Sequence, residues 1–225
     1  MPNKGRPGCM HKSQNRKGAP HQVRIIGGQW KRTPLPVADA AGLRPTPDRV
    51  RETVFNWINH LFDGAWEGRA CLDLFAGSGA LGFEAASRGA SRVLMVENHV
   101  PALRHLETIK EKLRASQVAI MRGDALAKVR ELGAAVAREA GAERREGAFD
   151  IIFLDPPYHQ DWLAKILPHC AGLLQPDGLV YVEAEMPLDG LDAAWLADWE
   201  IVRADKAGMV FYHLLQNRNM TGIEA

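Results

Sequence analysis

Cysteine is scarce, with Cys9, Cys71 and Cys170 widely separated in 225 residues. An odd number without metal-ligand spacing excludes a disulfide framework and a cysteine-based metal site, leaving reduced, structural thiols. No apolar run reaches the roughly eighteen residues of a membrane-spanning helix. The N-terminal residues also lack the apolar core of a secretory signal. A soluble, cytoplasmic protein with neither membrane nor metal partner is expected. Internal repeats and long low-complexity segments are absent too, which removes solenoid architectures. Most telling is the lack of any acidic residue before position 39, in a stretch that holds Lys4, Arg6, Lys12, Arg16, Lys17, Arg24, Lys31 and Arg32.

What is present divides along that line. The net charge of +1 comes from 28 basic and 27 acidic side chains, so with eight bases in the arm the remainder carries 20 against 27. A cationic arm on an acidic body suits a polyanion, because each neutralised phosphate releases counterions. Residues 1–22 are rich in Gly, Pro, Asn, Gln and Ser, and are expected to be a disordered basic tail. Order is expected from Val23, where Val23, Ile25 and Ile26 begin an apolar pattern. With 46% hydrophobic residues the chain can bury one good core.

Thr46 and Pro47 read as the cap and first turn of a helix carrying Val50, Val54, Trp57, Ile58 and Leu61 at helical spacing. From Ala70 the pattern alternates. Strands are expected over 70–75, 92–97, 117–121, 149–154 and 178–184, and helices over 79–88, 101–114, 125–139 and 160–173. That rhythm predicts an α/β fold, a Rossmann-like doubly wound sheet of about seven strands, mainly parallel. Trp199–Asp205 and Met209–Leu215 then predict a C-terminal antiparallel hairpin through Lys206-Ala207-Gly208. The Gly141–Gly147 stretch reads as a solvated loop. The expected organisation is a tail to residue 22, a basic extension suited to a polyanion over 23–64, an α/β domain over 65–217 and a short tail over 218–225.

Two strand ends carry chemistry. Asp73-Leu74-Phe75-Ala76-Gly77-Ser78-Gly79 joins the first strand of the alternation to its helix, and glycines there let backbone pass close under a ligand at a helix N-terminus. Asp73 would repel a pyrophosphate but pair with an ammonium, as in the amino-acid end of S-adenosylmethionine. Glu97, followed by Asn98, stands where a carboxylate accepts from ribose hydroxyls. Asp124 with Ala125 offers an acceptor for an adenine amine, or a helix cap. The fourth strand of the alternation stops at Asp155-Pro156-Pro157-Tyr158. Proline carbonyls there lack local N–H partners, Asp155 adds an acceptor and Tyr158 a flat face. This set suits a planar exocyclic amine on an unstacked nucleobase.

In this order these motifs resemble the class I S-adenosylmethionine-dependent amino-methyltransferases, and more closely the RsmD family of bacterial 16S rRNA guanine-N2 methyltransferases. The family's blocks are matched by Arg24-Ile25-Ile26-Gly27-Gly28, by Gly42-Leu43-Arg44-Pro45-Thr46 with Arg49-Val50-Arg51-Glu52, by Leu72–Gly82, by Glu84-Ala85 with Ser87-Arg88-Gly89-Ala90, and by Asp150–Tyr158. The likeness runs from about Val23 to Gln216. It implies catalysis by Asp155, Pro156, Pro157 and Tyr158. It also implies cofactor binding by Asp73, Phe75, Gly77, Ser78, Gly79, Glu97, Asn98, Asp124, Ala125 and Thr46, with Arg24, Lys31, Arg32, Arg44, Arg49 and Arg51 on RNA. The implied cofactor is S-adenosyl-L-methionine, and the implied partner is 16S rRNA or the small ribosomal subunit, met by a monomer. Three other functions compete. An adenine-N6 methyltransferase shares the Asp155–Tyr158 loop. NAD-dependent oxidoreduction explains the glycines and Glu97 but not Asp73. A non-catalytic ribosome-assembly factor would keep binding without turnover.

Overall fold

Apolar runs set between helical segments form the parallel strands of one seven-stranded sheet. The computed structural model describes residues 22–36, 46–136 and 146–220. The strands are β1 (Gln22–Arg24), β2 (Pro34–Pro36), β3 (Ala70–Asp73), β4 (Arg92–Glu97), β5 (Val118–Arg122), β6 (Phe149–Leu154), β7 (Leu174–Ala184), β8 (Trp199–Ala207) and β9 (Val210–Asn217). The helices are α1 (Asp48–Leu61), α2 (Ala80–Arg88), α3 (Val100–Leu113), α4 (Ala125–Val136) and α5 (Trp162–Cys170). The sheet order is β5-β4-β3-β6-β7-β9-β8, parallel from β5 to β7 and antiparallel at the last two strands. The expected fold class, mainly parallel with a C-terminal antiparallel hairpin, is the observed one. The hairpin turns more tightly than expected, pairing Ala207 with Val210 around a left-handed Gly208.

Side chains along each strand alternate between two cores, as the pleat requires. Cys71, Val93, Met95, Ile151, Phe153 and Tyr181 face α1, α2 and α3. Leu72, Leu94, Val96, Ile152, Leu154, Val180 and Val182 face α4 and α5. Strands covered on both faces read as continuous apolar runs, which is why they were visible in the sequence.

The small β1–β2 hairpin was not predicted as such. Val23, Ile25 and Leu35 bury into the same core as α1 and α2. It docks on the C-terminal half of α2, where Glu84 accepts the Ile26 and Gly27 N–H groups at 2.6 and 2.8 Å. Ser87 receives the Trp30 N–H and donates to the Gly27 carbonyl. Gly28 is left-handed, and a Cβ there would lie 1.8 Å from the Ser87 carbonyl oxygen. Gly28 in that block is therefore a packing requirement.

The tail through residue 21, Arg44, the loop over 137–145 and residues 221–225 lie outside the described residues. Among the described residues, no helix is long and apolar enough to cross a membrane, and no cluster of His, Cys, Asp or Glu is built to hold a metal. Cys71 and Cys170 are buried and free, and burial pushes both thiols up.

Candidate active site

The crevice lies where the chain changes direction. β3 pairs with β4 on one side and with β6 on the other, so the loops leaving β3 and β6 diverge at the carboxyl edge, where ligands enter such sheets. Register places Asp73 beside Met95 and Phe153, and Leu154 beside Val182. Asp73, Glu97, Asp155 and Glu183 therefore share one edge of the sheet.

Asp73 is buried at the end of β3. Its Oδ2 accepts the Gly82 N–H of α2 at 3.1 Å, whereas its buried Oδ1 has no hydrogen-bond partner. Burial pushes this carboxyl up to about 7, against the pull of the nearby Gly82 and Phe75 N–H groups, and the Glu97 charge adds to the rise. An unpartnered acceptor oxygen in a half-enclosed site calls for a donor. Gly77 and Gly79 both lie in the left-handed region, turning the chain into α2. Glu97 holds that turn: Oε2 accepts the Gly77 N–H at 2.8 Å, and Oε1 accepts the N–H groups of Asn98 and His99. Ser78 and Phe75 are half-buried, and the Phe75 ring meets Trp162 edge-on at 5.5 Å. Asp124 caps α4, its Oδ1 accepting the Ala127 N–H at 3.0 Å, and Ala125 is buried beside it.

At the other half of the crevice, Pro156 is buried, Pro157 exposed and Tyr158 half-buried. The next residues are held in unusual backbone, with His159 and Asp161 both left-handed. Glu185, just beyond β7, fixes that bend by accepting the His159 N–H, and lies 2.7 Å from the ring Nδ1. Behind Asp155 stands a polar cluster. The Thr46 hydroxyl lies 3.2 Å from Asp155 Oδ2 and 2.6 Å from Glu183 Oε1. The Tyr181 hydroxyl donates to the same Glu183 oxygen at 2.9 Å. Burial, then the Glu183 charge and that of Asp73, raises Asp155 well above the usual carboxylate range. Glu183 is raised by burial and held down by Thr46, Tyr181 and the Arg51 charge.

Two expectations are corrected. Thr46 does not cap α1, because Pro47 takes the N-cap position without a side-chain hydrogen bond and the Thr46 hydroxyl is committed to the carboxyl cluster. Arg51 is fully buried, so it is no surface contact for RNA. Its Nη2 donates to the Arg24 carbonyl at 2.8 Å and to Asp48 at 2.6 Å, and Nη1 lies 4.0 Å from Glu84. Arg24, Lys31, Arg32 and Arg49 are exposed, Arg24 being paired with Asp48. Glu183, Tyr181, Glu185 and Glu84 were missed. A lone glutamate inside the apolar run Val180–Ala184 is the signal that was available for the first.

Comparison with known proteins agrees with this architecture. The family described as conserved hypothetical protein 95 matches residues 23–216. Ribosomal RNA small subunit methyltransferase D of Escherichia coli (strain K12) is 37% identical over 207 residues, spanning 91% of this chain and 94% of that protein. The protein of the same name from Haemophilus influenzae is 34% identical, spanning 90% and 96%. The solved structure of yhhF from Escherichia coli superposes with a TM-score of 0.69 at 34% identity, covering 87% of this chain and 98% of that one. A ribosomal protein L11 methylase structure from Lactobacillus delbrueckii, at 17% identity and a TM-score of 0.56, shares the fold. With the crevice, its paired carboxylates and its docked N-terminal hairpin in place, the chain belongs to the family of the ribosomal RNA small subunit methyltransferases D.

Proposed function

We propose that this protein methylates the exocyclic N2 amine of a guanine in 16S rRNA, using S-adenosyl-L-methionine. One observation carries the reading: a buried carboxylate with an unsatisfied oxygen, Asp73, stands across the β3/β6 crevice from the acceptor loop Asp155–Tyr158. Relatives that cover the chain nearly end to end bear the name of a small-subunit rRNA methyltransferase.

The residues present fit the cofactor. Asp73 Oδ1 is an acceptor awaiting an ammonium, and the turn Gly77-Ser78-Gly79 presents backbone at the N-terminus of α2, where a carboxylate is favoured. Glu97 and Asn98 would take the ribose hydroxyls. Phe75, Asp124 and Ala125 line the adenine end, where Asp124 has its second oxygen to offer beyond the cap. When bound, the sulfonium supplies an electrophilic methyl group.

The protein's own work is positioning and charge stabilisation. The lone pair of a guanine amine is delocalised into its ring, so the amine is a weak nucleophile. Acceptors at the Pro156 carbonyl and Asp155 orient its two N–H bonds and favour the cation that develops on nitrogen. Tyr158 gives the base a surface to stack on, and its loop is braced by the Glu185 clasp on His159. Two rigid prolines would hold the amine nitrogen in place for attack. Thr46, expected on the cofactor, serves the Asp155 end. We assign residues 23–64 the RNA-facing role, with Arg24, Lys31, Arg32, Arg49 and Arg44 on phosphates, and residues 65–217 the chemistry.

The test is methylation of small ribosomal subunits and of naked 16S rRNA from cells lacking this protein, with labelled cofactor and nucleoside analysis. N2-methylguanosine is expected, lowered at least 100-fold by Asp155→Ala. N6-methyladenosine in its place would move the assignment to the adenine class, and binding without turnover to an assembly factor.

A further inference from the structure

A single hydroxyl has one proton to donate, yet Thr46 Oγ1 sits within hydrogen-bond distance of two carboxyl groups, 3.2 Å from Asp155 Oδ2 and 2.6 Å from Glu183 Oε1. Thr46 and Glu183 are both buried. If both carboxyls were ionised, the longer contact would be a lone-pair repulsion in a medium of low dielectric. Both contacts become hydrogen bonds when the pair carries one proton. The short contact suits Thr46 donating to an ionised Glu183, which leaves the shared proton on Asp155. Tyr181 donates a second bond to Glu183 at 2.9 Å, and Arg51 on α1 adds a favourable charge. Across the crevice Asp73 opposes a charge on Asp155. Tyr212 of β9 acts on Tyr181 rather than on either carboxyl.

We propose that Asp155, Thr46 and Glu183 form a proton relay in which Glu183, never touching the substrate, is the final acceptor of the proton released on methyl transfer. The inference rests on the proposed reaction. In it the guanine nitrogen forms a bond to the methyl carbon as the sulfur–carbon bond breaks, and the thioether leaves with that electron pair. The nitrogen, now cationic, loses one proton to Asp155 Oδ1. Asp155 gives its own proton from Oδ2 to Thr46, and Thr46 gives its hydroxyl proton to Glu183 Oε1. One proton has left the amine and one has reached Glu183, and Asp155 is neutral before and after. Like-charged carboxyls that share a proton are a known means of setting acid and base roles apart. Here the second carboxyl lies behind the first, out of reach of the RNA.

Three variants separate the relay from a structural role. Glu183→Gln removes the terminal acceptor, Thr46→Val breaks the chain while keeping its shape, and Thr46→Ser keeps the hydroxyl. Single-turnover methylation at saturating RNA and cofactor is expected to fall about 100-fold in the first two and to persist in the third. Wild-type rates should fall as pH drops and Glu183 becomes protonated. In Glu183→Gln this acid limb should vanish from its wild-type position, because the group that titrates there is gone. A structural defect would leave that limb in place. Infrared difference spectra give a readout independent of turnover: ligand-free wild type at neutral pH should show a protonated carboxyl band that Asp155→Asn lacks. Wild-type turnover with an unshifted acid limb in Glu183→Gln, or with no such band, overturns the relay alone. No methylation by wild type, with the band present, removes the proposed reaction and leaves the shared proton standing.

Discussion

Asp73 is joined to Gly82 across the first turn of α2 by one hydrogen bond of 3.1 Å, and its other oxygen is buried without a partner. The arrangement is costly to the ligand-free protein and useful to a cationic ligand. A carboxyl raised from its ordinary 3.8 to about 7 binds a proton in the folded state that the unfolded state has already released. Stability therefore falls as pH rises from about 4 through about 7, and no further above it.

Two outcomes follow from that sign. At pH 8 the ligand-free Asp73→Asn variant should melt above wild type, and at pH 4 the two should coincide. Cofactor affinity should run the other way in wild type, strengthening up to tenfold per pH unit until about 7, because the ammonium needs the ionised form. Calorimetric titration across that range checks it. A pH-independent affinity would remove Asp73 from the ammonium site.

How far the sequence reached depended on whether partners were near in the chain. β3, β4 and β6 were legible because burial on both faces makes them unbroken apolar runs. Asp73 and Asp155 were legible because each ends such a run beside glycine or proline. Glu183 was hidden inside its run. Its role needs the register that sets Val182 beside Leu154, and a threonine 137 positions earlier. Thr46 and Arg51 failed for the same reason. Thr46-Pro47 has the chemistry of a helix start and Arg51 the look of a solvated face, but the distant Glu183 claimed the first, and the Arg24 carbonyl, together with Asp48, drew the second inside. The β1–β2 hairpin is three residues per strand with prolines at both ends of β2, too short for periodicity to register.

Glu84 is the fastening of that hairpin. It is fully buried and receives the Ile26 and Gly27 N–H groups and the Arg88 Nε, with Arg51 at 4.0 Å. Glu84→Ala strands two N–H groups and the Arg88 Nε and leaves the buried Arg51 charge to Asp48, so a loss of about 3–5 kcal/mol is expected in urea unfolding. Pairing it with Arg51→Met should recover part of that loss, because a buried charge left with less compensation goes too. Additive costs would show that Arg51 and Glu84 are not coupled.

Gly28 tests the same joint by shape. Gly28→Ala sets a Cβ against the Ser87 carbonyl at 1.8 Å in left-handed backbone, whereas Gly208→Ala has the same backbone penalty and open space. The second change is expected to cost about 1 kcal/mol, and the first about 3 kcal/mol or more. Limited proteolysis should then cut Gly28→Ala ahead of α1 while the sheet domain persists. Equal costs would mean that the hairpin yields without resistance.

The exposed bases of this hairpin and of α1 give the RNA reading its own measure. Lys31 and Arg49 face solvent, unlike the buried Arg51. If each meets a phosphate, Lys31→Ala and Arg49→Ala should each lower the slope of log affinity against log salt by about 1 on any RNA sequence. Cofactor affinity should stay unchanged, because neither side chain lies at the carboxyl edge of β3 and β4. Arg51→Met should show the opposite pattern, a lower melting temperature with an unchanged salt slope. A salt slope that moves with Arg51 and not with Arg49 would relocate the RNA surface away from α1.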